Sequence, residues 1–116
     1  EMSDLLYRTI SYHDYREDFY HAFLAGIFAG AGYSVKSNRE HGEGRSDVVI
    51  RDKKHRRVAI FEAKYSKLSQ AMVKDCGTAI QQIQEKRYAE EYEDGRTKIF
   101  CYGIAFYKKD CLVQKL

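Results

Sequence analysis

In the stretch Val58-Ala59-Ile60-Phe61-Glu62-Ala63-Lys64-Tyr65, an apolar run passes directly into alternating charges. Upstream, Asp47-Val48-Val49-Ile50-Arg51 has a similar apolar centre, and the polar tip Asp52-Lys53-Lys54-His55-Arg56 separates the two runs. Runs rich in Val and Ile on either side of a polar turn are typical of a β-hairpin. The pattern therefore predicts strands at 47–51 and 57–62.

Two carboxylates meet in this hairpin, because counting outward from its tip places Asp47 directly opposite Glu62. Opposed Cβ atoms lie about 5 Å apart, and two unit charges at that distance repel by roughly 3 kcal/mol at an effective dielectric constant near 20. Lys64 shares the face of Glu62, since side chains alternate along a strand, but one ammonium serves two carboxylates poorly. A divalent cation would supply the missing charge, and carboxylate and backbone carbonyl oxygens suit Mg²⁺.

The N-terminal part of the chain predicts one helix and one strand. A helix over 14–30, ended by Gly30 and Gly32, follows from apolar residues at three- and four-residue spacing, namely Phe19, Tyr20, Phe23, Leu24, Ile27 and Phe28. A strand at 33–37 comes next, and a polar loop over 38–45 leads into the hairpin.

The C-terminal part predicts a helix and two strands. The helix covers about 68–93 and ends at Asp94-Gly95, and its apolar stripe is Met72, Cys76, Ala79, Ile80 and Ile83. A nearly continuous apolar strand at 98–106, of the kind buried on both faces, precedes a short last strand at 111–114. The fold class is therefore α/β, with a mixed sheet covered on both sides by helices.

Composition limits the class of protein. With 116 residues and 44% hydrophobic residues, the chain 1–116 forms one compact domain. Lys and Arg number 20 against 17 acidic residues, a mild excess that is compatible with a polyanionic partner. The longest apolar region, 22–31, is too short to span a membrane, so no membrane partner is expected. Glu1 precedes Met2, which suggests a piece of a longer chain.

Cysteine usage indicates a reducing compartment. The chain has three cysteines, Cys76, Cys101 and Cys111, which are widely spaced and form no metal-ligand pattern. They are expected to be small buried apolar residues. A cytoplasmic location is the simplest interpretation.

Asp47, followed fifteen residues later by Glu62-Ala63-Lys64, resembles the signature of the PD-(D/E)XK nuclease superfamily. More narrowly, 44–50, 61–64, 79–83 with Tyr88, and 103–106 are similar to the nuclease-like domain found C-terminal to predicted AAA-type ATPases in bacteria. Ordered motifs in the expected elements are more specific than the short acidic pattern alone. The resemblance covers about 17–113 and implies a restriction-endonuclease-like core, with the order helix-strand-strand-strand-helix-strand(-strand) and a mixed central sheet flanked by helices.

The resemblance also implies an activity, namely Mg²⁺- or Mn²⁺-dependent endonuclease cleavage of DNA. Asp47 and Glu62 would hold the metal together with the carbonyl of Ala63, and Lys64 would orient or deprotonate the attacking water. Gln82 matches the glutamine that many members place near the site. The implied partners are DNA, an ATPase-like region upstream in the same chain, and a second copy in a homodimer.

The sequence pattern gives weaker support to some further candidate site residues. Glu17 is the candidate for an upstream acid, and Arg45, Lys67 and Lys86 are candidates for substrate phosphates. Two departures from the family stand out. The proline of the superfamily's name is absent, since Ser46 precedes Asp47, and Asn38 stands where an acid is expected, which leaves a second metal in doubt.

Structural alternatives remain open for each of these residues. The Asp47, Glu62 and Lys64 spacing also describes a salt-bridged strand end, Glu17 suits the first turn of a solvated helix, and Gln82 a helix edge. Arg45 is equally compatible with a loop cation. The basic run 53–57 lies roughly 15 Å from the carboxylates and is a solvated turn or a remote phosphate contact. The alternative function is a catalytically silent nuclease fold that binds nucleic acid or protein for an ATPase-linked protein.

Overall fold

The computed structural model describes residues 17–39 and 46–116, in which helices lie on both faces of one five-stranded sheet. The elements are α1 (Glu17–Gly30), β1 (Ser34–Arg39), β2 (Ser46–Asp52), β3 (Arg57–Tyr65), a 3₁₀ turn (Ser69–Ala71), α2 (Met72–Glu85), a 3₁₀ segment (Tyr88–Tyr92), β4 (Lys98–Tyr107) and β5 (Asp110–Lys115). No helix in these ranges has the length and apolarity needed to cross a membrane.

The sheet is mixed, as the sequence predicts. Its strands follow chain order, β1-β2-β3-β4-β5. Among them β3 and β4 run parallel, and the other neighbouring pairs are antiparallel. A parallel pair needs a long crossover connection, and α2 provides it between β3 and β4.

Each face of the sheet has its own apolar core. On one face, Tyr20 and Leu24 of α1 pack against alternate residues of β2, β3 and β4, namely Val48, Ile50, Phe61, Ala63, Ile104 and Phe106. On the other face, the sheet residues Val49, Val58, Ile60, Cys101 and Ala105 pack against α2 and the 3₁₀ segment. Because strand side chains alternate, Asp47, Glu62 and Lys64 lie on this second face, the α2 face.

The end of α1 is a Schellman motif. The Gly32 N–H donates to the Ala29 carbonyl at 3.0 Å, and the Tyr33 N–H donates to the Phe28 carbonyl at 3.2 Å. Gly32 has φ 91°, which favours glycine, and the Phe28 and Tyr33 rings are in contact. This closure turns the chain into β1 at the place that the glycines predict.

β1 and β3 extend furthest beyond their predicted C-terminal ends. β1 runs to Arg39, so Asn38, which we expected in a loop, is a strand residue paired with Asp47. β3 runs to Tyr65, because β4 continues to pair with it beyond the last β2 partner, as far as Tyr65↔Phe106. Glu62 and Lys64 therefore lie inside a strand and not at its end.

The second helix is shorter than the predicted 68–93. It begins at Met72 and ends at Glu85, and Arg87 then adopts a left-handed conformation with φ 54°. A 3₁₀ segment follows, which buries Tyr88 and Tyr92 in the core beside Val49 and Ile60. Tertiary burial of the two tyrosines thus overrides the helical period, which would place them on a continuous helix.

Two cysteines are buried apolar residues, as expected. Cys76 and Cys101 are buried, whereas Cys111 is half-buried. Burial raises the pKa of the Cys76 and Cys101 thiols above the ordinary value, so neither favours the reactive thiolate. The Cys76 Sγ lies 3.1 Å from the Leu112 carbonyl oxygen, which ties α2 to β5.

Candidate functional site

The site is built on one row of residues that crosses the sheet. In register, Asn38 of β1 faces Asp47 of β2, Asp47 faces Glu62 of β3, and Glu62 faces Gly103 of β4. The predicted pairing of Asp47 with Glu62 is therefore confirmed. Both carboxylates have 0% exposure, which sets them apart from the solvated acids elsewhere on the surface. Direct opposition puts their Cβ atoms about 5 Å apart.

Lys64 joins the carboxylates from the same strand and the same face. Its Nζ lies 3.9 Å from Glu62 Oε1, and its side chain is 29% exposed. The ammonium thus lies partly open to solvent beside two enclosed acids. A cation in this position offsets part of the charge of the acidic pair.

Gln82 is brought to this cluster by α2. Lys64 Nζ donates to Gln82 Oε1 at 2.5 Å, and Gln82 Nε2 donates to Tyr88 Oη at 3.1 Å. The carboxamide therefore connects the site lysine to a buried tyrosine. The sequence stripe placed Gln82 at the edge of the apolar face of α2, and the neighbouring Ile83 is buried in the core.

Close approach of α2 to the sheet depends on Gly103. A Cβ at this position would overlap the Cys76 carbonyl oxygen and would lie 3.1 Å from both Ala79 Cβ and Ile80 Cγ1. The absent side chain lets the helix lie close over β4, beside Glu62 on the neighbouring strand. Glycine in a strand often marks such a close backbone approach.

Asn38 contacts the acidic pair from β1. Its Nδ2 donates to Asp47 Oδ2 at 3.3 Å. The amide is neutral, so it adds no negative charge where the family resemblance leads us to expect an acid. The sequence pattern places Asn38 in a loop and therefore does not predict this contact. The contact forms because β1 extends to Arg39.

Ser66 and Asp75 form a second polar connection that the sequence did not reveal. Ser66 is fully buried, its N–H donates to the Phe106 carbonyl at 2.7 Å, and its Oγ donates to Asp75 Oδ2 at 2.6 Å. These bonds fasten the end of β3 to β4 and to the first turn of α2. A single serine after a charged run carries no periodic signal that would have identified it.

The remaining candidates lie apart from this row or outside the described residues. Arg45 lies outside them. Glu17 is the first residue of α1, whose buried residues pack on the face opposite to Glu62, and its side chain is not among the described side chains. Lys67 and Lys86 are exposed, one just beyond β3 and the other just beyond α2. Their roles stay predictions.

Few side chains of this site could act as ligands for a cation. Within 17–39 and 46–116, no cluster of three or more His, Cys, Asp and Glu side chains could hold a metal. Asp47 and Glu62 nevertheless fit Mg²⁺, which is commonly held by one or two carboxylates and keeps several waters. Ala63 is the first residue of β3 past the end of the β2 register, and it directly follows Glu62 in the chain.

The comparisons with known proteins agree with this geometry. Residues 15–116 match the family model of the PD-(D/E)XK nuclease superfamily. No curated protein and no solved structure matches the chain. The mixed sheet between helices is compatible with a restriction-endonuclease-like α/β fold, and Asp47 with Glu62-Ala63-Lys64 occupies adjacent strands of it. The chain therefore belongs to the PD-(D/E)XK nuclease superfamily.

Proposed function

We propose that this chain is a metal-dependent nuclease domain that hydrolyses phosphodiester bonds in DNA. The observation that carries the proposal is the strand register, which sets Asp47 opposite Glu62 with both carboxylates enclosed and Lys64 beside them. Two acids and a lysine suit hydrolysis by water, since no covalent nucleophile takes part. Membership of a superfamily of nucleases supports the same reaction class.

Asp47 and Glu62 would hold Mg²⁺ or Mn²⁺, and the main-chain carbonyl of Ala63 would add a third oxygen. When bound, the ion supplies positive charge to the phosphoryl group and makes a water more acidic. The neutral amide of Asn38, which already donates to Asp47, favours one metal over two.

Lys64 would orient the attacking water and stabilise negative charge on the phosphate oxygens. An ammonium has three donors, and Gln82 accepts one of them, which leaves the others for water and substrate. The water oxygen loses a proton and forms a bond to phosphorus, the bond from phosphorus to the leaving deoxyribose oxygen breaks, and that oxygen takes up a proton. Tyr88 acts through Gln82, because it fixes the carboxamide that holds the ammonium.

The partners that we propose are those the resemblance implies. DNA is the substrate, an ATPase-like region upstream would deliver or remodel it in the cytoplasm, and a homodimer would supply the two cuts that duplex cleavage needs. Arg45, Lys67 and Lys86 are candidates for phosphate contacts outside the acidic pair.

Lys64→Met is expected to reduce DNA cleavage by about 100-fold or more while metal binding persists, because the charge that acts on the phosphate is lost but both acids remain. Cleavage of plasmid and branched DNA, with titration calorimetry of Mn²⁺ on the same samples, measures both quantities. Lys74→Met removes an exposed lysine of α2 and serves as the control. A wild type that binds no metal and cuts nothing at high protein concentration would refute the proposal.

Gln82→Leu is expected to lower the cleavage rate by about tenfold or more, because Lys64 loses the acceptor that holds its ammonium. Tyr88→Phe should have a smaller effect in the same direction, since Gln82 keeps its bond to Lys64. Gln81→Leu is the matched control, because the adjacent Gln81 is exposed and donates to Glu85. Equal cleavage by the Gln81 and Gln82 variants would show that the contact has no role in the reaction.

A second candidate function is a silent nuclease fold that binds nucleic acid or protein. The observation that favours it is Asn38, which replaces an expected acid beside Asp47. This function predicts no cleavage when metal is added, and its nucleic-acid-binding form also predicts binding of DNA without metal. The experiment on Lys64→Met separates the two functions, because only the nuclease loses a measurable rate.

A further inference from the structure

A groove lies on the α2 face beside the acidic pair, over the two strands that α2 leaves open. α2 packs against β3, β4 and β5, whereas β1 and β2 face the 3₁₀ segment on this side. The groove has a volume of about 370 Å³, and its lining residues are Ser34, Lys36, Val49, Arg51, Lys53, Glu91 and Tyr92. We call it the basic groove.

The strand register makes the basic groove continuous with the acidic row. Two residues along from Asn38↔Asp47 is the pair Lys36↔Val49, and two further along is Ser34↔Arg51. All of these residues lie on one face, since side chains alternate. Each step of two residues rises about 6.6 Å, so Lys36 and Arg51 lie at successive distances from the acidic pair.

Positive charge dominates the groove. Lys36, Arg51 and Lys53 are exposed, and the one carboxylate in the lining is Glu91, which lies 3.7 Å from Lys36 Nζ. Both partners of that ion pair are well exposed, at 61% and 48%, so the pair contributes little stability and can exchange for another anion.

Arg51 is held in position by the core. Its guanidinium carbon lies 5.7 Å from the centroid of the Tyr92 ring, and Tyr92 is 8% exposed and packed beside Val49. A guanidinium stacked on an aromatic ring keeps its donors available at the edges. The groove thus presents a fixed cation and not only flexible surface lysines.

A second basic cleft extends the groove around the hairpin tip. It has a volume of about 360 Å³, shares Arg51 and Lys53 with the basic groove, and adds Arg56, Arg57 and Arg96. Its two carboxylates have partners within the protein: Asp52 accepts from Arg57 Nη2 at 2.6 Å, and Asp94 accepts from the Arg96 and Thr97 N–H groups at 2.8 and 2.7 Å. These bonds hold the pKa of both carboxyls at about 2, and Arg56 and Arg96 also line the cleft.

We propose that the basic groove binds the sugar–phosphate backbone of a nucleic-acid strand whose scissile phosphate lies at Asp47 and Glu62. Lys36, Arg51 and Lys53 contact phosphates in turn along the strand, away from the site and toward the hairpin tip. The inference rests on the proposed nuclease function, because the acidic row fixes where the strand begins. It gives the basic tip a role in backbone contact, with no reading of bases.

The test is the salt dependence of binding, measured by fluorescence anisotropy of labelled single-stranded and duplex oligonucleotides in a chelating buffer that prevents cleavage. The variant Lys36→Gln/Arg51→Gln/Lys53→Gln should bind with a slope of log Kobs against log salt that is shallower by about 2, since three phosphate contacts are lost. The control Lys74→Gln/Lys98→Gln/Lys115→Gln has the same charge change elsewhere and should keep the wild-type slope. The substrate whose slope the groove variant reduces, relative to the control variant, identifies single-stranded or duplex DNA as the source of the phosphates.

Folding of each variant is checked by thermal unfolding. Glu91→Gln gives a second test, in which all the cations of the groove are kept. Removal of the groove's carboxylate should tighten binding. The proposal is overturned if groove and control variants lose the same slope, if Glu91→Gln leaves affinity unchanged, or if the wild type does not bind. Plasmid cleavage in Mg²⁺ is measured separately. If the wild type cuts DNA but the groove variant keeps the wild-type slope, only the proposal on the basic groove is refuted. If the wild type binds DNA through the groove but does not cut it, only the proposed catalysis is refuted.

Discussion

Asp47→Asn is expected to abolish metal-dependent DNA cleavage and to raise the unfolding temperature of the metal-free protein. Under the proposed function the two effects have opposite signs, because the acidic pair would hold a cation whose charge is missing in the metal-free protein. Asp47 and Glu62 are fully buried on neighbouring strands, and two charges about 5 Å apart repel by roughly 3 kcal/mol at an effective dielectric constant near 20. Lys64, 3.9 Å from Glu62, offsets only part of this repulsion.

The substitution is nearly isosteric, so packing around the row is retained, and Asn38 can still donate to the remaining oxygen. We expect the free energy of unfolding in chelator to rise by about 1 kcal/mol or more. Cleavage should fall by at least about 100-fold, which is typical for loss of one group that stabilises the transition state.

Thermal unfolding in chelator and in millimolar Mn²⁺ measures the coupling directly. A ligand that binds only the folded state stabilises it by mass action, so the wild type should gain stability with metal and Asp47→Asn should not. Asp110→Asn, at the exposed start of β5, is the control for loss of one negative charge. A variant that is destabilised in chelator, beside a wild type that does not respond to metal, would assign the carboxylates a structural role.

The strand register could be predicted because the hairpin has a clear polar tip and Val-rich strands on both sides. The pairing of Asp47 with Glu62 then follows from counting residues outward from the tip, and the structure confirms it. The end of β1 could not be predicted in this way. Asn38 and Arg39 are polar residues of an edge strand, where one side needs no apolar pattern, so their sequence is typical of a loop.

The contact between Lys64 and Gln82 could not be predicted from the sequence for another reason. Periodicity places Gln82 at the edge of the helical stripe, but whether it reaches a strand depends on how closely the helix approaches the sheet. That distance is set by Gly103, whose position beneath α2 is known only once β4 is paired with β3. The end of α2 was missed similarly, because Tyr88 and Tyr92 keep a four-residue spacing while the chain between them is no longer α-helical.

Gly103→Ala is expected to be the most destabilising single-methyl substitution in the sheet, at about 1–3 kcal/mol or more. The new Cβ would overlap the carbonyl oxygen of Cys76, which is backbone and cannot rotate away, and would crowd Ala79 and Ile80 at 3.1 Å. Relief requires α2 to move away from β4. Because Gln82 belongs to the same helix, its Oε1 would leave Lys64 Nζ, and cleavage should fall even at temperatures where the variant is folded.

Gly77→Ala in α2 is the control, because it is expected to raise the free energy of unfolding that Gly103→Ala lowers. A Cβ there meets no atom within 4 Å, and alanine is favoured over glycine inside a helix, so this variant should be more stable by about 0.5–1 kcal/mol with unchanged cleavage. Denaturant unfolding gives both free energies, and initial cleavage rates well below the unfolding transition give the effect on the site. If Gly103→Ala were as well tolerated as Gly77→Ala, α2 would not be held against the sheet by this contact. The position of Gln82 would then have to come from Tyr88 and from the bond between Ser66 and Asp75 at the start of the helix.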